Sequence, residues 1–175
     1  MATGLSEERL LRHLARANDC NAIEGLYAAC RESLASMGSD QWSDGYPTLK
    51  HVDRDIAESQ LWCFSNQDIV AVGVLNQDHD SQHEAIPWQG DYASCRYVHR
   101  LAVHPVSWGK GVGTFAMKQL ELLAVGQGAK SMRLDTYSLN PSNLKFYQNL
   151  GYNRLEGEIF FPSHKAPFIC FEKIL

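Results

Sequence analysis

The sequence holds no Cys-x-x-Cys pair, no excess of basic residues, and no apolar run near the roughly 18 residues of a membrane-spanning helix. Each absence removes a class of protein. The five cysteines, at positions 20, 30, 63, 95 and 170, are odd in number and scattered. They argue against a disulfide frame or a zinc site and for reduced, mostly buried thiols, and no metal is expected. Lys and Arg number 16 against 20 Asp and Glu, a formal net charge of −4. Nucleic acid is therefore not an expected partner, and a cationic substrate suits the balance better. The N-terminus lacks the basic-then-apolar signature of a secretory signal, so the expected location is cytoplasmic. No repeat and no low-complexity linker interrupts the chain, and residues 1–175 are expected to form a single domain with an ordinary core. Residues 1–9 are polar and expected to fray.

What the chain does have is glycine in one revealing place. Leu101-Ala102-Val103 is a short buried-strand pattern, and His104-Pro105 ends it because Pro has no N–H to give to a ladder. Gly109, Gly111 and Gly113 then alternate, with Lys110 among them, and Val112, Ala116, Leu120 and Leu123 begin a helical stripe. A glycine turn entering a helix presents unpaired N–H groups and the positive end of the helix dipole, which is an anion site. The P-loop pattern fails, because His104 and Gly111 stand where it needs Gly and Ser or Thr. A dinucleotide fingerprint is a closer rival: Gly111, Gly113 and Ala116 fit G-x-G-x-x-A, with Asp135 ending the next strand. Against it, seven residues separate Val103 from Gly111, and only forty follow Asp135. A coenzyme A pyrophosphate loop is the third reading.

Elsewhere, strands are expected at 11–17, 61–65, 69–75, 93–103, 131–136, 153–161 and 167–173. Helices are expected after an Asn18 or Asp19 cap, over 49–58, after the glycine turn, and from Asn140 to just before Gly151. Residues 76–91 form a long polar loop of the kind that tends to be functional or mobile. The order is β-α-α-β-β-β-α-β-α-β-β.

Two blocks, Trp108-Gly109-Lys110-Gly111-Val112-Gly113 and Asn140 to Tyr152 with Phe146-Tyr147, resemble the coenzyme A motifs of the GNAT superfamily of N-acetyltransferases. Trp108 stands where the family usually has Gln or Arg, and Asn143 where it has a small residue. The segments Gln41-Trp42 to Gly45-Tyr46-Pro47, His99 to Val103 and Arg133 to Tyr137 resemble a bacterial subgroup, without supplying an acceptor. The resemblance implies an α/β (α+β) fold: a mixed, mostly antiparallel sheet of six to seven strands, splayed between the strands ending near Val103 and Thr136, with about four helices. It also implies acetyl-CoA as cofactor, a small-molecule amine acceptor and room for a homodimer. Cofactor contacts would come from Leu101 and Val103, from the turn Trp108, Gly109, Lys110, Gly111, Val112, Gly113 and Thr114, and from Asn140, Asn143 and Tyr147.

Acetyl transfer to an amine makes physical demands that these residues could meet. An alkylamine titrates near ~10.4, so only about one molecule in 10³ is neutral at pH 7. The carbonyl oxygen needs a donor, and the departing thiolate benefits from a proton. By resemblance, Tyr147 is the acid and the Val103 N–H is the oxyanion donor. Strand alternation puts Tyr97, His99, Leu101 and Val103 on one face, making His99 the candidate base, with water as the alternative. Trp42, Tyr46 and Trp88 would wall the acceptor pocket, where Asp40 or Asp44 could favour a cation. Plainer readings stand beside these: Tyr147 and His99 as core residues, Asn140 as a simple N-cap, the loop aromatics as anchors, Lys110 and Lys145 as solvated surface. A CoA-binding sensor without turnover and the dinucleotide module remain the rival functions.

Overall fold

The computed structural model describes residues 10–175, so the expected fraying of 1–9 lies outside the described residues. Seven strands form one sheet: β1 (Leu11–Leu14), β2 (Leu61–Ser65), β3 (Ile69–Asn76), β4 (Cys95–Val103), β5 (Ser131–Tyr137), β6 (Asn153–Ile159) and β7 (Phe168–Ile174). Their order across the sheet is β1-β2-β3-β4-β5-β7-β6, antiparallel throughout except where β4 meets β5 in parallel. Four helices cover it: α1 (Cys20–Ser36), α2 (Leu49–Ala57), α3 (Val112–Gly126) and α4 (Pro141–Asn149). Among the described residues no helix is long and apolar enough to cross a membrane. The element order, the mixed sheet and the four helices are those expected from the sequence.

Alternation along the strands sorts the core. Ala71 and Leu75 pack with α3 and α4, through Met117, Leu120 and Tyr147, and with Phe171 of β7. Val72 and Val74 face the other way and pack with Ile23, Leu26 and Tyr27 of α1 and Val52 of α2. Helix ends follow local chemistry. The Asn140 side chain accepts the Asn143 N–H at 3.1 Å, Pro141 takes the first helical position, and Gly151 beyond the end is left-handed at φ 86°.

Two departures from the expected pattern shape the site. The β3–β4 register slips between Val72 and Val74, so that only Gly73 stands opposite Arg100 and Leu101. Arg100 there is left-handed, at φ 49°. This bulge puts His99 and Arg100 on the α1–α2 side in succession: His99 pairs with Val74, and Arg100 reaches Asp55 of α2. Leu101 and Val103 then pack on the α3 side. The expected common face for Tyr97, His99, Leu101 and Val103 is therefore corrected, because one extra residue reverses the phase of alternation. Gly73 has little room for a side chain, since a Cβ would lie 3.0 Å from Leu120 and 3.3 Å from Leu101.

The second departure is the separation of β4 from β5. They pair only at Cys95–Ser131, Arg96–Met132 and Tyr97–Arg133, and their remaining residues run unpaired with each other. The root of this fork is tied by Arg133, which donates to Glu172 at 2.9 Å and to the Tyr97 hydroxyl at 3.4 Å, both partners buried.

Candidate active site

The fork opens onto a cleft of about 830 Å³ between the end of β4, the glycine turn and α4. The N–H of His104 donates to Val70 O at 2.8 Å, so alternation along the ladder turns the N–H of Val103 away from β3 and into the opening. Gly109 and Gly111 adopt φ of 72° and 81°, and Gly111 caps α3. The N–H groups of residues 109–114 donate to no acceptor among the described residues. Six such donors at a helix N-terminus form a cradle for an anion.

Trp108 behaves differently from a phosphate contact. Its indole Nε1 donates to Val103 O at 2.7 Å, so its polar atom is held at the strand end, and the backbone amides are left to face an anion. Lys110 and Lys145 are exposed and do not line the cleft. Asn140 has both ends of its amide engaged, Oδ1 by the Asn143 N–H and Nδ2 by Gln41 Oε1 at 2.8 Å. Asn143 donates to Thr136 Oγ1 at 3.3 Å.

A second cavity of about 580 Å³ adjoins the first, and Gln41, Trp42, Leu101, Asn143 and Tyr147 line both. Tyr147 stands at the junction. It is buried to 7% exposure, yet its hydroxyl has no hydrogen-bond partner among the described residues and is not enclosed. Burial first, and then the charge of Asp135, push its pKa up, so the phenol holds its proton.

His99 lines the second cavity with Trp42, Tyr46, Asp44 and Asp135. Its Nε2 lies 2.8 Å from Asp78 O. A carbonyl only accepts, so Nε2 carries the hydrogen and Nδ1 keeps the lone pair. Burial lowers the His99 pKa and favours the neutral ring, with Asp135 pulling the other way. Trp88 does not wall this cavity, contrary to expectation. Its indole donates to His83 O at 2.8 Å and one of its ring faces meets the Arg133 guanidinium at 4.6 Å, so packing in the core behind His83 claims it. Asp40 is engaged by the Tyr137 hydroxyl and the Lys165 N–H, which leaves Asp44 of the two expected acids on the cavity wall.

Several residues carry no signal in the sequence. Asp55, on α2, forms a two-point ion pair with Arg100, Nε to Oδ2 at 3.0 Å and Nη2 to Oδ1 at 2.8 Å. Cys30 lines the first cleft, where its thiol donates to Val103 O at 3.3 Å. Burial pushes that thiol up to about 12, which makes it a poor nucleophile. His79 and His83 come from the long loop, and His164 from the β6–β7 connection, to close the second cavity.

The acetyltransferase (GNAT) family matches residues 11–152. No curated protein sequence matches the chain. Among solved structures, a GNAT-family acetyltransferase from Streptococcus agalactiae superposes with a TM-score of 0.82 at 24% identity, covering 95% of each chain. An acetyltransferase from Salmonella typhimurium, solved with its cofactor acetyl-CoA, gives 0.66 at 16%, over 95% of this chain and 94% of that one. The ribosomal-protein-alanine N-acetyltransferase of Brucella melitensis gives 0.68 at 13%, over 94% and 99%. At these identities the likeness is one of fold.

Proposed function

The chain belongs to the acetyltransferase (GNAT) family, and from that premise we propose that it transfers an acetyl group from acetyl-CoA to a small amine or amino-acid-like acceptor, by direct attack with both substrates bound. The observation that carries this reading is the fork between β4 and β5, flanked by the unpaired amides of residues 109–114 and adjoined by a second cavity at Tyr147. The cleft fits the cofactor chemically: amide donors and a helix N-terminus for the pyrophosphate, and a free strand edge for a chain bearing amides.

Acetyl-CoA supplies the acyl group as a thioester. His99 takes one proton from the acceptor ammonium at Nδ1 and passes it to solvent, leaving the nitrogen lone pair free to attack. The Val103 N–H receives the carbonyl oxygen as charge builds on it. Tyr147 gives its hydroxyl proton to the sulfur as the carbon–sulfur bond breaks, and recovers one through water as the new amide nitrogen sheds its second proton. Amide, free thiol and one released proton balance the reaction. The high pKa and engaged thiol of Cys30 support direct attack over a covalent acyl-enzyme.

The decisive assay is CoA-thiol release across amines, polyamines, amino acids and peptides. Full acetyl-CoA binding with no release from any of them would favour a sensor. Acetyl-CoA should raise stability by about 2.7 kcal/mol at 100 times its dissociation constant, and NAD should not. Gly111→Asp should abolish that shift, because it puts a side chain and a negative charge into a left-handed cap at φ 81°. A melting shift unchanged in that variant would remove the glycine turn from the cofactor site.

A pH profile tests the base. With His99 below its ordinary value of 6.5, activity is held above the depressed pKa and lost as pH falls through it. The acidic limb of kcat/KM should therefore have its midpoint below pH 6.5, and His99→Gln should erase it. The same limb in the variant would assign the proton transfer to water or another group.

A further inference from the structure

Acetyl transfer as described uses none of the carboxylates that line the acceptor cavity, and one of them stands on β5 beside the fork. Asp135 sits in the middle of β5, beyond the last residue paired with β4, and its carboxylate lines the second cavity with 17% exposure. His83 orients it. A carboxylate only accepts, so His83 Nε2 carries the hydrogen and donates to Asp135 Oδ2 at 3.0 Å, while Nδ1 lies 3.1 Å from both the N–H and the carbonyl oxygen of Asp80. His83 is itself 2% exposed and stacked beside Trp88, which fixes the ring. Among the described residues the second oxygen, Oδ1, has no partner.

Among the described residues no lysine or arginine neutralises this carboxylate, although two arginines line the cavity. Arg100 is held at two points by Asp55, and Arg54 lies 3.4 Å from the same Asp55. A single hydrogen bond from a histidine offsets little of the cost of holding a carboxylate away from water, and a ligand cation would offset the rest. The position is also right for chemistry, since the Asp135 charge acts on both His99 and Tyr147.

Resting on the acetyltransferase reading, we infer that Asp135 is the residue that selects the acceptor: its Oδ1 binds the ammonium group of a cationic aliphatic amine, with His83 as the positioning residue behind it. Asp135 holds the charged nitrogen beside His99, which then removes the proton. The acceptor class follows from this: amines that are protonated at neutral pH, in preference to aromatic amines, amides and alcohols.

Asp135→Asn tests it directly, because the amide oxygen can still accept from His83 while the charge is gone. The readout is kcat/KM for an alkylamine against a fluorinated analogue of nearly the same shape that is uncharged at assay pH. The variant should lose at least about tenfold for the charged amine and less than about threefold for the uncharged one, with the KM for acetyl-CoA unchanged. Equal losses for both amines would make Asp135 a structural residue and overturn the inference. Should the variant fold poorly, the unmutated protein serves. A dimethylalkylammonium ion, which cannot be acetylated, should compete with the acceptor at least about tenfold better than an uncharged isostere. Equal competition overturns the inference while leaving acetyl transfer intact. A chain that binds acetyl-CoA and acetylates no amine overturns the transferase reading, and this inference with it.

Discussion

Turnover by a Tyr147→Phe protein is expected to fall by roughly 10² to 10⁴, with little change in affinity for CoA. The ring is a core group, packed against Tyr152 and Phe171 with centroids 6.0 Å away in each case, and Phe preserves those contacts. Only the hydroxyl is lost, and that hydroxyl has no partner among the described residues to account for its presence. A raised pKa makes the phenol a reluctant acid toward water, but a thiolate forming beside it in a low-dielectric cleft is a strong enough base. The loss should shrink for an acyl donor whose thiol has a lower pKa, because a better leaving group needs less help. Near-wild-type turnover, measured with chemistry rate-limiting, would leave the sulfur to be protonated by water.

The largest stability effect is expected at Asp55. Its carboxylate is 2% exposed and Arg100 is 8% exposed, so Asp55→Ala leaves a guanidinium in the core with only the Tyr46 hydroxyl, at 3.3 Å, for company. Breaking one side of such a pair costs about 3–5 kcal/mol. Replacing both residues by apolar ones of similar volume, Asp55→Leu with Arg100→Met, should recover most of that loss, since no buried charge then remains. Urea unfolding of the three variants checks both statements, and a single-variant loss under about 1 kcal/mol would show that the pair is not shielded from water. Activity should not recover with stability. The left-handed backbone at Arg100 sets the direction of His99, and a methionine there has no ion pair to hold the bulge.

How much of the fold and site is legible in the sequence follows from the range of the interactions involved. Local signals suffice for the glycine turn, the Asn140-Pro141 helix start, the Gly151 stop and the element order, because each is decided within a few residues. The phase of β4 is not local. Alternation from Tyr97 to Val103 assumes an unbroken ladder, and the bulge that breaks it arises from pairing with β3, some thirty residues away in the chain. One signal does point to it: an isolated glycine inside a strand pattern, Gly73, often marks a bulge or close approach. Asp55 reads as one more surface acid on an amphipathic helix, and only the position of Arg100 makes it a buried one. A long polar loop groups Trp88 with the cavity aromatics, yet the partner that decides its place, Arg133, comes from the root of the fork. Cys30 lies outside both motifs, while the fold brings its helix against the end of β4.

The two adjoining cavities differ in ancestry along the chain. Much of the wall of the first comes from the β4 end, the glycine turn and the start of α4, whereas much of the second comes from three connections: residues 41–46, 78–83 and 161–164. Those connections can be exchanged with little disturbance to the fork or its amide cradle, provided that Gln41, which accepts from Asn140 and lines both cavities, is kept. A chimera carrying all three from a related protein should keep the donor of this chain and, through Asp135 on β5, its preference for cationic amines, while the size and shape of the amine it takes follow the grafted loops.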